Sequence, residues 1–227
     1  MHYNRPRSTA TWGLNAKDWE AGINYEKLRK DRLERAQSAC AEAGFGAFLC
    51  FNFDNLRYIT STHIGEWGRD KFDRYCLCPT DSAPFLWDPA PPAKRKSSPW
   101  LGNRVDAPVS TMQGSIPPEH GVQNVFAKQI KEKMVELGIE KQPLGIDVME
   151  LPMLRALEQE GVEVVDGQQA LMNAREVKTE EEIELLKVAA AMVDATYLDI
   201  AKAIRPGAKE SDLVAIANDK LYGMGSE

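Results

Sequence analysis

The run Ala47-Phe48-Leu49-Cys50-Phe51 limits what this chain can fold into more than any other stretch. Five consecutive apolar residues leave no polar face, so the segment reads as a short strand covered on both sides. A helical stripe feeds it. Leu33, Ala36, Cys40 and Ala43 recur at spacings of three and four, with Asn24 placed to cap the helix start and Gly44 to stop it. A helix delivered into a doubly covered strand predicts an α/β layer arrangement.

The same grammar continues downstream. Residues 52–88 open with a polar turn, pass through an aromatic loop and close in two apolar runs joined by a short turn. Pro89-Ala90-Pro91-Pro92 then breaks the sheet pattern, and 104–109 reads as a further strand. Pro117-Pro118-Glu119 opens a helix through Leu137, whose stripe is Val122, Phe126, Ile130, Met134 and Leu137, and Gly138 ends it. A strand over 144–148, a helix over 151–160, a strand over 162–165 and a helix from about Gln168 follow. The alternation predicts a mixed or mostly parallel sheet covered by helices, in one compact domain over 23–174. Residues 1–22 form an irregular arm, and its Trp12 and Trp19 fit packing on the chain's own domain or on a partner.

The character changes at Arg175. Thr179-Glu180-Glu181-Glu182 is a capping box, and Ile183, Leu186, Ala190, Val193, Tyr197, Ile200 and Ile204 step behind it by three and four without a miss. Arg205-Pro206-Gly207 stops this helix. A second starts near Glu210 and uses Leu213, Ile216, Ala217 and Leu221. Two amphipathic helices have to bury their apolar faces, either as the opening of a second domain over 175–227 or as a cap on the first.

Composition narrows the function classes. A net charge of -6 lacks the basic footprint of a nucleic-acid binder, and the compact run Lys94-Arg95-Lys96 reads as a solvated helix face. No apolar run approaches the ~20 residues that span a bilayer, and the polar N-terminus has no signal-peptide core. Four cysteines in a chain this long make no disulfide framework. Cys76 and Cys78 read as sheet-face thiols, which fits a reducing cytoplasm. The aromatic loop concentrates the candidate binding chemistry. Trp67, Arg69, Phe72 and Arg74 are large aromatic and guanidinium groups close together, able to cover an apolar ligand and grip an anionic one. A salt bridge from either Arg to Asp70, Asp73 or Asp88 is the alternative use of these residues.

Three motifs carry a resemblance. Asp54-Asn55-Leu56-Arg57-Tyr58-Ile59-Thr60 resembles the "NIRYLTG" turn of the creatinase/prolidase (metallopeptidase M24, pita-bread) family. Arg175-Glu176-Val177-Lys178-Thr179-Glu180-Glu181-Glu182-Ile183 resembles the "R-x-VK-(S/T)-x-x-E-I" opening of its catalytic domain. Arg205-Pro206-Gly207-Ala208-Lys209-Glu210 looks like the turn between that domain's first two helices, with Lys209 where Thr is usual. Within the family, Trp67, Phe72, Arg74 and Trp87-Asp88 resemble the dimethylsulfoniopropionate lyase-like branch.

The resemblance implies a creatinase N-terminal-like, ribonuclease-H-like layered mixed sheet with helices, followed by two helices that begin an incomplete pita-bread domain. It also implies a homodimer-spanning role in which Trp67, Arg69, Phe72 and Arg74 belong to the wall of a neighbour's site: Arg74, with Arg69 second, for a substrate carboxylate, and Trp67 and Phe72 to shape and dry the pocket or face a cation. His63 is either a further polar wall residue or a simple turn residue. Two divalent metals, held by two Asp, one His and two Glu, would belong to a part of the family's length beyond these helices. None of His2, His63 and His120 substitutes for that set, so neither a catalytic nor a metal-ligating residue is assigned here. The chain is expected to be one subunit of a split enzyme or a fragment of a longer one; its expected partners are a second polypeptide carrying the metal-binding half, a further copy for dimerisation and a small-molecule substrate, with no nucleic acid and no membrane. The other open reading is a non-catalytic binding or regulatory protein that kept the creatinase N-terminal fold.

Overall fold

The computed structural model describes residues 22–63, 72–112, 114 and 116–226, together with the backbone of two short strands near the N-terminus. Those strands, β1 (Thr11–Trp12) and β2 (Lys17–Asp18), form a small antiparallel hairpin where the sequence predicts irregular chain. Trp19 lies outside the described residues. The chain divides into two compact units, one of Arg29–Val177 and one of Met1–Leu28 with Lys178–Glu227.

The larger unit is built on a six-stranded sheet. Its first elements are α1 (Tyr25–Glu42), β3 (Ala47–Cys50), α2 (Phe53–Thr60), β4 (Tyr75–Pro79), β5 (Phe85–Trp87) and α3 (Pro91–Ser97). Then come β6 (Val105–Asp106), α4 (Val122–Glu136), β7 (Leu144–Ile146), α5 (Leu151–Gln159), β8 (Val164–Asp166) and α6 (Gln168–Glu176). Spatial order is β6-β5-β4-β3-β7-β8. β4 runs antiparallel to both β3 and β5, while β3, β7 and β8 are mutually parallel and β5 is parallel to β6. Thus β4 alone opposes the rest, which is the mostly parallel mixed sheet that the strand–helix alternation predicts.

Side-chain alternation sorts the strands into two cores. Ala47, Leu49, Tyr75, Leu77, Trp87, Leu144 and Ile146 face Phe126, Ala127, Ile130 and Met134 of α4 and Met153, Ala156 and Leu157 of α5. Phe48, Cys50, Cys76, Cys78, Leu86 and Val105 lie in the opposite cluster with Ala36 and Cys40 of α1, Leu56 and Ile59 of α2, and Leu171 of α6. Both faces are therefore covered, as the unbroken apolar run of β3 requires. Two glycines permit this closeness. A Cβ on Gly145 would meet the Phe45 ring at 2.6 Å, and one on Gly167 would meet the Gly145 carbonyl carbon at 2.7 Å.

Three local expectations change. Residues 53–60 form a helix rather than a turn, because the Asn52 side chain accepts the Asp54 and Asn55 N–H groups and caps it. The helix expected from Pro117 starts at Val122 instead. Pro118–His120 is a single 3-10 turn, and Gly121 at φ +69 breaks it from α4. Lys94 is not solvated, since its side chain is only 13% exposed and approaches Asp88.

Asp147 fastens the layers where β3 ends. Its carboxylate accepts the Phe51 N–H at 2.9 Å, the Asn52 N–H at 3.0 Å and the Asn55 side-chain amide at 3.0 Å. Asn55 also donates to the Gln168 side chain at 2.8 Å, which reaches α6. Burial pushes the Asp147 carboxyl above the usual carboxylate range, and the N–H donors pull the other way.

The second unit holds α7 (Glu180–Ala203) and α8 (Glu210–Gly223). The capping box is present as expected: Thr179 Oγ1 accepts the Glu182 N–H at 3.2 Å and the Glu182 carboxylate accepts the Thr179 N–H at 3.0 Å. Asp199 of α7 pairs with Lys220 of α8 at 2.8 Å and with Lys202 at 3.1 Å, and the lysines hold its carboxyl below the ordinary range. The apolar stripe of α7 does not go inside. Ile183, Leu186, Val193, Tyr197 and Ile204 are 42–65% exposed.

Two outcomes follow from this architecture. Asp147→Ala strips an acceptor from three buried or half-buried donors, so urea denaturation at neutral pH is expected to show a loss of about 2–4 kcal/mol. The four cysteines are free and buried, with burial pushing the Cys40 thiol up to about 12 and those of Cys50 and Cys78 upward as well. A chromogenic disulfide reagent at pH 7 should therefore leave all four untouched in the native chain and titrate all four in denaturant.

Candidate functional site

The exit of the aromatic loop is set by backbone geometry. Phe72 sits at φ +42, in the left-handed region that a bulky L-residue seldom adopts. Its carbonyl accepts the Met112 N–H at 3.3 Å, and its half-buried ring packs against the core cluster that includes Trp87. β4 begins three residues on, at Tyr75, so Asp73 and Arg74 lie on the short link between this turn and the sheet.

Arg74 is the centre of the charged groups. Its Nε donates to Asp88 Oδ2 at 2.9 Å, and its Nη1 lies 3.3 Å from Asp73 Oδ1. Asp88 follows directly on β5 and is 1% exposed, and it also accepts the Ala90 N–H at 2.9 Å. That second bond closes a tight turn into α3, whose Pro91 and Pro92 are suited to a helix start. The turn brings Lys94 back, with Nζ 3.9 Å from Asp88 Oδ2 while it donates to the His63 carbonyl. Asp88 thus holds a guanidinium from one flank of the loop and an ammonium tied to the other.

The structure brings together three of the residues read from sequence. Arg74 is at the charged cluster, His63 is exposed and reaches it through its carbonyl, and Phe72 flanks it with its ring turned to the core. Trp67 and Arg69 lie outside the described residues. Of the three acidic partners considered for Arg74, Asp88 and Asp73 are both used. Sequence reasoning missed Lys94. The signal was the Asp88-to-Pro91 spacing, which puts a helix start three residues after a buried carboxylate and folds the first turn back over it.

Among the described residues, no three or more His, Cys, Asp or Glu side chains converge so as to hold a metal ion. The two divalent metals implied by the resemblance find no donor set there. Among the described residues, no helix is long and apolar enough to cross a membrane.

Comparisons with known proteins place this geometry in context. No family model matches the chain. It is 26% identical over 189 residues to the dimethylsulfoniopropionate lyase DddP of Roseovarius nubinhibens, covering 79% of this chain and 40% of that protein. It is 26% identical over 171 residues to the DddP of Roseobacter denitrificans, covering 71% and 37%. The chain therefore spans about two fifths of the length of the curated relatives it matches. Among solved structures it is similar to a prolidase from Thermococcus sibiricus, with a TM-score of 0.61 at 20% identity over 85% of this chain and 49% of that one. An Xaa-Pro dipeptidase from Bacillus anthracis gives a TM-score of 0.59 at 22% identity over 86% and 49%. Motifs, relatives and fold agree: this chain resembles the creatinase/prolidase family and, by sequence, its dimethylsulfoniopropionate lyase branch.

Proposed function

We propose that this chain is the N-terminal, site-gating and oligomerisation part of a metal-dependent hydrolase or lyase of the creatinase/prolidase family. In this reading 1–22 is an arm, 23–174 is the creatinase-type N-terminal domain, and 175–227 opens the pita-bread domain. The metal-binding half, on a second polypeptide or on the remainder of a longer chain, holds two divalent ions, a further copy completes an oligomer, and the assembly works in the cytoplasm. The substrate is a small polar molecule with a carboxylate. Arg74, seconded by Arg69, receives that carboxylate, while Trp67, Phe72 and His63 complete the wall.

One observation carries the reading. The most regular apolar stripe in the sequence, on α7, stays 42–65% exposed at Ile183, Leu186, Val193, Tyr197 and Ile204. On α8, Val214 and Tyr222 are 57% and 47% exposed. Large apolar side chains in a row on one helix mark a surface made to be covered. The DddP relatives support the substrate class, since dimethylsulfoniopropionate is itself a small carboxylate that also bears a cationic sulfonium. An aromatic wall beside a guanidinium suits both ends of such a molecule.

Elemental analysis and co-purification test the proposal. The purified chain alone should hold well under one divalent ion. Co-expressed with a polypeptide bearing the Asp, Asp, His, Glu, Glu ligand pattern, it should co-purify as a pair carrying about two. Val193→Glu with Tyr197→Glu puts two charges into the stripe and should abolish the pairing while the circular dichroism of the chain is unchanged. Two tightly held metals on this chain alone, or a pair that survives both charges, would overturn it.

A further inference from the structure

Arg74 is shared by two carboxylates of unequal standing. Asp88 takes the Nε edge at 2.9 Å in hydrogen-bond geometry, is 1% exposed, and is itself fixed by the Ala90 N–H and approached by Lys94. Asp73 lies 3.3 Å from Nη1, yet neither Nη1 nor Asp73 Oδ1 has a hydrogen-bond partner among the described residues, although both atoms are buried. The Asp73 side chain is 26% exposed. A guanidinium donor left without an acceptor in a buried position costs free energy that a well-aimed oxygen would recover.

We propose that Asp73 is a placeholder: its carboxylate occupies the Nη1 side of Arg74 in the free chain and gives way to the carboxylate of a small ligand, while Asp88 stays on Nε. This rests on the reading of Arg74 as a carboxylate contact. The exchange is like for like, one carboxylate for another on the same guanidinium, so the charge beside Arg74 does not change when the ligand arrives. Position favours the exchange. Asp73 lies outside the sheet with its side chain 26% exposed, so a rotation about its own side-chain bonds can carry the carboxylate off Nη1 while Phe72, held by packing and by the Met112 N–H, keeps the backbone in place. Asp88 has no such freedom, being buried at the end of β5. Lys94 adds a second cation, tethered to the His63 carbonyl, so two cations surround the one firm carboxylate.

Titration of the full chain with propionate, followed by NMR and controlled with propionamide, decides the matter. Propionate should bind weakly and saturably, propionamide should not, and Arg74→Lys should abolish the effect by removing the planar fork. Asp73→Asn keeps the shape and removes the competing charge, so propionate affinity should rise roughly two- to five-fold, the range for loss of a partly exposed ion pair. Rescue of wild-type affinity by Asp73→Glu would mark the charge as the agent. If binding depends on Arg74 but Asp73→Asn leaves it unchanged or weaker, the placeholder is wrong and the carboxylate contact stands. If propionate binds neither chain, or binds Arg74→Lys equally well, both ideas fall.

Discussion

Much of the larger unit depends on one carboxylate that accepts hydrogen bonds where β3 gives out. A strand buried on both faces leaves its terminal N–H groups no route to water, and each must find an acceptor inside the protein. Asp147, next after β7, supplies that acceptor to Phe51 and Asn52 and orients Asn55 toward Gln168. Asn52 is thereby free to cap α2 with its side chain, and α2 delivers Leu56 and Ile59 to one face of the sheet. Parallel neighbours β3 and β7, the helix that leaves β3 and the helix that leaves β8 are all referred to this one group.

Where the physics is periodic, the sequence is transparent. The unbroken run at Ala47–Cys50, the alternation of Tyr75, Cys76, Leu77 and Cys78, and the stripe of Phe126, Ile130 and Met134 each follow from a spacing of two or of three and four. Short capped elements are harder. Residues 53–60 make barely two helical turns, and what fixes them is an Asn side chain plus a carboxylate 95 positions away from its Asn52 partner. No local pattern encodes that. The close approach at Gly145 and Gly167 is equally invisible, because the atoms that exclude a Cβ come from residues distant in sequence.

The candidate site divides in the same way. Aromatic and guanidinium residues crowd together in sequence, and the acids around Arg74 are within reach by count alone. Which acid is firm and which is loose is not legible. That depends on Asp88 ending a buried strand and turning tightly into α3, and on Asp73 sitting outside the sheet beside a left-handed residue. Lys94 reads as solvated for the same reason, since three neighbouring basic residues look alike until a turn selects one of them to fold inward.

The buried ion cluster makes little sense as a stabilising device. Taking a carboxylate and two cations out of water costs more than their attraction reliably returns, and apolar residues of similar size would fill the space at lower cost. What such a cluster does supply is fixed orientation, because a guanidinium held at Nε by a buried partner cannot swing away from the direction its Nη groups face. The exposed stripe of α7 shows the same preference for an incomplete arrangement. Ile183, Leu186, Val193 and Tyr197 would lower the free energy of the isolated chain if they were buried, and the fold leaves them out. Each feature costs free energy in the chain considered alone: a buried ion cluster at Arg74 and Asp88, and an uncovered apolar row on α7.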